Sequence, residues 1–169
     1  VRLVSFGAPG AEVGGVLVGT AVVPLRELGF GDRVGDLLRE GRLAELRATA
    51  ARIPPDTGLA RDSLRLGPPL PDAGQIVCVG LNYRAHAEEQ DQAWPEAPLL
   101  FGKAPGAMTG CRDPIELPLD AADTVDYEVE LVAVIGRRAR RVAPGDALDH
   151  VAGYMVGNDV SARRWQKHD

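Results

Sequence analysis

Asp126, Glu128 and Glu130 occupy every second position at the start of a run, Val125 to Gly136, that is otherwise rich in Val, Leu and Ile. Successive side chains of a strand point to opposite faces, so these acids share one face with neighbours about 7 Å apart. Tyr127, Val129, Leu131, Ala133 and Ile135 are expected to fill a core on the other face. The acid face continues as Val132 and Val134, which puts the carboxylates where the strand enters the interior. Clustered carboxylates in a partly dry site take up a proton or are neutralised by Lys, Arg or a hard divalent metal. An edge strand guarded by surface charge would carry the same local pattern.

A second apolar run from Val151 to Val156 ends in Gly157-Asn158-Asp159. A neighbouring strand there can bring Asp159 beside Glu128 and Glu130, giving an all-oxygen set suited to Mg²⁺ or Mn²⁺ with positions open to substrate. Asp159 is equally suited to cap a helix beginning at Ser161-Ala162-Arg163.

Two further groups could act beside such acids. In Gly80-Leu81-Asn82-Tyr83-Arg84-Ala85-His86-Ala87-Glu88-Glu89, Asn82 can cap a short helix on which His86 and Glu89 are three apart and share a face. A carboxylate that orients an imidazole suits general-base activation of water, and an exposed ion pair reads the same way. Lys103 follows the apolar stretch Leu99-Leu100-Phe101 and enters a Pro/Gly loop, where its cation can meet an anionic substrate or a ligand carboxylate. An ordinary surface lysine has the same local sequence.

The elements that must position these residues are short. Arg2 to Phe6, Gly15 to Val18 and Thr20 to Leu25 read as strands of a small opening sheet. One helix is predicted from a cap at Asp36 through Leu37, Leu38, Leu43, Leu46 and Ala50, stopped by Pro54-Pro55. Leu64 and Leu66 suggest a short strand in a connector, and Ile76 to Val79 opens the main unit. The division expected is a small N-terminal α/β domain over 1–70 and a larger unit over 71–169, with an α+β, predominantly β, mixed fold rather than regular βαβ units.

The 169 residues, 45% of them apolar, can bury a sound core. A net charge of -5 argues against nucleic-acid or anionic-membrane partners, and the basic run Arg137 to Arg141 reads as a solvated turn. Two cysteines, Cys78 and Cys111, are too few and too far apart for a disulfide framework or a zinc knuckle. No apolar stretch is long enough to span a bilayer and no secretory signal is visible, so a soluble cytoplasmic protein with reduced thiols is expected.

In ordered combination, Gly80-Leu81-Asn82-Tyr83 with His86, then Phe101 and Lys103, Asp126-Tyr127-Glu128-Val129-Glu130-Leu131 and Asn158-Asp159-Val160-Ser161-Ala162-Arg163, the chain resembles the fumarylacetoacetate hydrolase family over residues 75 to 166. The resemblance implies a β-roll catalytic domain, incomplete at Asp169, that forms a homodimer when intact. It implies Mg²⁺ or Mn²⁺ held by Glu128, Glu130 and Asp159, with Lys103 in the active site and His86 with Glu89 as a water-activating pair on a lid. Asp126 matches the pattern without being a usual ligand. The implied substrate is a small 2-oxo or 1,3-dicarbonyl acid, cleaved at a carbon-carbon bond as in an acylpyruvate or fumarylpyruvate. The alternatives within the family are β-keto acid decarboxylation, isomerisation and sugar-acid dehydration. A noncatalytic, truncated binding or assembly module is the alternative outside it. Arg164 stands where many relatives carry an acid, and Gly106 where a small hydroxyl residue is frequent.

Overall fold

A computed structural model describes residues 1–166. The chain opens with β1 (Arg2–Phe6), β2 (Val13–Val18) and β3 (Ala21–Pro24), antiparallel neighbours joined by tight turns, and β4 (Leu59–Ala60) adds to the edge of β3. Against this sheet pack α1 (Val34–Arg39) and α2 (Leu43–Ala50). Leu25, Phe30, Val34, Leu37 and Leu46 form the core between the layers, with Leu25, Leu37 and Leu46 wholly buried.

The single helix expected from Asp36 to Ala50 is two. Gly41, at φ +69°, takes a left-handed conformation that ends the first helical segment, and the chain restarts at Leu43. Asp36 lies inside α1 and accepts from Arg39 at 2.8 Å instead of capping. The strand expected at Leu64 and Leu66 reduces to one bridge between Leu66 and Phe6.

The remainder is built of antiparallel ribbons. β5 (Ile76–Gly80) pairs with β6 (Leu99–Lys103), and between them lies α3 (Arg84–Glu89). Leu81, at φ +50°, makes the sharp turn out of β5, a conformation that costs a non-glycine residue about 1–3 kcal/mol. β7 (Val125–Asp126) pairs with β10 (Ser161–Ala162), and β8 (Val129–Ile135) with β9 (Val151–Asn158). The short helix α4 (Arg163–Gln166) follows β10. The acid-bearing run is therefore two strands, interrupted at Tyr127 and Glu128, rather than one.

The faces of β8 are the reverse of those expected. Val129 and Leu131 are 75% and 67% exposed, and Tyr127 and Ile135 are open as well. The half-buried face is the one carrying Glu128, Glu130, Val132 and Val134. Sequence alternation separates two faces but does not say which one the chain covers, and here Lys103 of the β5–β6 ribbon reaches the acid side at Asp159. Among the described residues, the buried apolar side chains beyond residue 75 are Ala87 and Ala121. No helix among them is long and apolar enough to cross a membrane.

Candidate active site

Glu128, Glu130 and Asp159 lie where β8 begins and β9 ends. Glu130 lies opposite Gly157 in the β8–β9 register, and Val129 opposite Asn158. One step further, the backbone N–H of Asp159 donates to the carbonyl oxygen of Glu128 at 2.8 Å. This hydrogen bond continues the ladder past its last pair and sets Asp159 beside Glu128. A Cβ on Gly157 would fall 2.8 Å from Val132 Cγ2, so the close approach of Val132 across the ladder requires glycine there.

Each of two acids already has a cation. Lys103, at the last position of β6, extends its ammonium to the Asp159 carboxylate and donates to the Val160 carbonyl at 2.9 Å. The Asp159 side chain is 12% exposed and that of Lys103 is 26% exposed, so this pair is partly shielded from water. Asp159 therefore caps no helix: Ser161 and Ala162 are in β10, and the carboxylate is committed to Lys103, with the Ser161 hydroxyl at 3.5 Å. Glu128 is held by Arg163, which also donates to Asp126 at 2.9 Å. The Arg163 hydrogen bond, followed by the Tyr127 backbone N–H, lowers the Asp126 carboxyl below its ordinary value, and the Arg163 charge adds to the effect.

Cys78 of β5 belongs to the same neighbourhood. Its thiol is pushed up, first by burial and then by the negative charge of Asp159, with Lys103 opposing and Glu130 contributing. Both cysteines are free.

His86 lies on α3 with its ring half-buried, and its partner is Gln90 rather than Glu89. The Gln90 side-chain nitrogen is 2.5 Å from His86 Nε2. No hydrogen bond or ion pair joins His86 to Glu89 among the described residues, because in this short helix the ring reaches the residue four positions on. The start of α3 is fixed to the acid strand: Leu131 N–H donates to the Tyr83 hydroxyl at 3.1 Å. Asn82 does not cap the helix, since Tyr83 takes the N-cap position and no side chain bonds there. Arg164 closes a separate contact, donating twice to Asp123 at 2.9 Å, which ties α4 to the turn before β7.

Of the residues singled out in the sequence, the fold sets Asp159 beside Glu128 along the backbone, brings Lys103 to Asp159 and leaves Glu130 opposite Gly157. Sequence reasoning gave no role to Arg163 or Cys78 in the cluster, nor to Gln90. Arginine at 163 was visible within the Ser-Ala-Arg block, but its pairing spans strands that only the fold brings together. Among the described residues, no group of three or more His, Cys, Asp or Glu side chains converges closely enough to hold a metal ion as the side chains stand. The donor chemistry nonetheless fits a hard divalent cation: three carboxylates, with those of Asp159 and Glu128 partly buried.

Residues 75–169 match the family model described as Fumarylacetoacetate (FAA) hydrolase C-terminal. The chain belongs to the fumarylacetoacetate hydrolase family. It is 54% identical over 95 residues to a fumarylacetoacetate hydrolase domain-containing protein 2 homolog of Dictyostelium discoideum, a match covering 56% of this chain and 31% of that protein. It is 37% identical to a mitochondrial oxaloacetate tautomerase of Xenopus laevis, covering 79% of this chain and 42% of that one. Among solved structures, maleylpyruvate hydrolase of Sphingobium sp. SYK-6, in complex with manganese(II) and pyruvate, superposes with a TM-score of 0.73 at 27% identity, covering 95% of this chain and 58% of that chain. The chain thus spans about a third to three fifths of the length of these relatives. Its fold is the α+β fold of the family.

Proposed function

We propose that the protein is a divalent-metal-dependent hydrolase that cleaves a carbon-carbon bond in an acylpyruvate-like 2-oxo acid. The observation that carries this reading is the junction of Glu128 and Asp159 across a backbone hydrogen bond, with Lys103 seated on Asp159. Glu128, Glu130 and Asp159 would hold Mg²⁺ or Mn²⁺, and the manganese complex of the Sphingobium relative supports a divalent ion. When bound, the ion supplies positive charge to the oxygens of a chelating 2-oxo acid.

The chain's own groups then have distinct tasks. Lys103 exchanges the Asp159 carboxylate for the anionic end of the substrate and orients it. With the Gln90 side-chain amide turned so that its oxygen accepts from Nε2–H, His86 takes a proton from water at Nδ1, and the water oxygen adds to the acyl carbonyl carbon. The bond between that carbon and the adjacent methylene breaks, and the methylene carbon takes a proton to release pyruvate and a carboxylic acid. Gln90 holds the imidazole, the task expected of Glu89 from sequence, while Glu89 remains near the lid surface.

A second reading, carbonyl-enol tautomerisation or isomerisation without cleavage, is favoured by one observation: among the described residues His86 has no carboxylate partner to strengthen it as a base toward water. The Xenopus relative supports the same alternative. Incubating the intact protein and Mn²⁺ with acetylpyruvate, fumarylpyruvate and oxaloacetate separates them. Release of pyruvate from an acylpyruvate supports the hydrolase; enol-keto exchange of oxaloacetate without cleavage of any of the three supports the tautomerase and overturns the first reading.

We further read the chain as two units dividing near residue 70, the second extending to residue 169 with its last three residues outside those described. Free thiols support a cytoplasmic setting. The exposed apolar faces of β8 and β9 support assembly through a protein surface, which we read as a homodimer of the intact enzyme.

A further inference from the structure

Arg163 stands at a junction that the hydrolase reading leaves unused. The β7–β10 ribbon pairs Ser161 with Asp126 and Ala162 with Val125, so the next residue, Arg163, starts α4 directly beside the acid run. All three nitrogens of its guanidinium are engaged. Nε and one terminal nitrogen donate to Asp126 Oδ2 at 3.2 and 2.9 Å, the same terminal nitrogen meets Glu128 Oε1, and the other donates to Gln166 at 3.0 Å. The Arg163 and Glu128 side chains are 25% and 20% exposed, whereas Asp126 is half exposed.

Two features of this pair matter, the first of which Asp159 shares, since Lys103 and the Ser161 hydroxyl both meet its Oδ1. First, Arg163 engages Oε1 of Glu128, and Oε2 takes no hydrogen bond among the described residues. Second, Arg163 is shared by two acids, so its single positive charge is offset by Asp126 and Glu128 keeps the remaining negative charge. A planar fork can bridge two carboxylates at fixed angles, which an ammonium cannot.

Resting on the metal-site reading above, we infer that Arg163 is a positioning residue for Glu128: anchored and neutralised by Asp126, it holds one carboxylate oxygen so that the other faces a divalent ion. Outer groups that orient a ligand in this way usually contribute about 10–100-fold to metal affinity. Asp126 acquires a role that its position on the acid face did not reveal. It is the counter-charge that prevents Arg163 from competing with the cation.

The test is Mn²⁺ affinity of the intact protein, read from the signal of the free aqueous ion by electron paramagnetic resonance, alongside the thermal midpoint of the metal-free form. Arg163→Met is expected to weaken Mn²⁺ by about 10–100-fold, and Arg163→Lys to recover only part of the loss. Asp126→Asn removes no contact to Glu128 and alters a half-exposed residue, so it carries the test even if Arg163→Met does not fold. It is expected to weaken Mn²⁺ by roughly 10-fold with little change in midpoint, and its effect should be absent when Arg163 is already Met. Unchanged or tighter Mn²⁺ binding in Asp126→Asn or Arg163→Met, while Glu128→Ala abolishes binding, overturns the positioning role alone. Wild-type Mn²⁺ affinity in Glu128→Ala overturns the metal site itself, and this inference with it.

Discussion

The backbone N–H of Asp159 donates to the carbonyl of Glu128 at 2.8 Å, so two acids 31 positions apart in the numbering leave adjacent strand ends side by side. Around that bond the chain arranges its cations. Lys103 reaches Asp159 from the β5–β6 ribbon, and Arg163 reaches Glu128 from the start of α4. Such pairing offsets the negative charge of the two acids, and it fixes what an incoming ion or substrate must displace.

Lys103→Met should separate substrate binding from metal binding. In the proposed cycle its ammonium leaves Asp159 for the substrate carboxylate, so the variant loses a charge-assisted hydrogen bond worth about 1.5–3 kcal/mol, or roughly 10–100-fold in affinity. Calorimetric titration with oxalate in the presence of Mn²⁺ should show that loss. Equal oxalate affinity in the two proteins would remove Lys103 from the substrate site.

Substitutions on α3 should report which neighbour serves His86. The side-chain nitrogen of Gln90 lies 2.5 Å from His86 Nε2, and Glu89 makes no hydrogen bond or ion pair with the ring among the described residues. His86→Ala is expected to slow hydrolysis by about 10²–10⁴-fold with Mn²⁺ affinity preserved. Gln90→Ala should slow it more than Glu89→Ala does. A larger effect at Glu89, measured as the initial rate of pyruvate release, would restore the carboxylate-imidazole pair.

Acid should loosen the contact between the N-terminal sheet and the loop after Lys103. Arg65 joins Glu12 of the first segment, at 2.8 Å, to Asp113 of the loop, and the Glu12 side chain is almost wholly buried. Arg65 hydrogen bonds hold both carboxyls below their ordinary values, helped by the Gly110 backbone N–H at Asp113. Because the folded values are depressed, this stabilisation is present above the unfolded carboxyl range, about pH 4, and is lost as pH falls through the lower folded values. The thermal midpoint should therefore drop between about pH 5 and 3, and Arg65→Met should lower the neutral midpoint and flatten that slope. A slope unchanged by the substitution would assign the acid sensitivity elsewhere.

Much of this site was legible because strand alternation is local. The period-two acids, the acid at the end of the next apolar run and the lysine after Leu99-Leu100-Phe101 each needed only neighbouring residues to be noticed. What stayed hidden depends on distant packing. Alternation cannot say which face of β8 is covered, and the face with Val129 and Leu131 proved to be the open one. Helical periodicity ran through Gly41 because the leucines on either side kept their spacing, although the backbone there turns left-handed. Arg163 could be counted as a surface charge until β10 paired with β7 and carried it to Asp126 and Glu128.

The measurement that bears most directly on the account is Mn²⁺ titration of the intact wild-type protein beside Glu128→Ala, Glu130→Ala and Asp159→Ala. The wild type should bind one ion per chain, and each substitution should weaken that binding by more than about 100-fold, beyond the range of an outer-sphere change. Wild-type affinity retained by Glu128→Ala or Asp159→Ala would contradict the assignment of these acids to a shared cation.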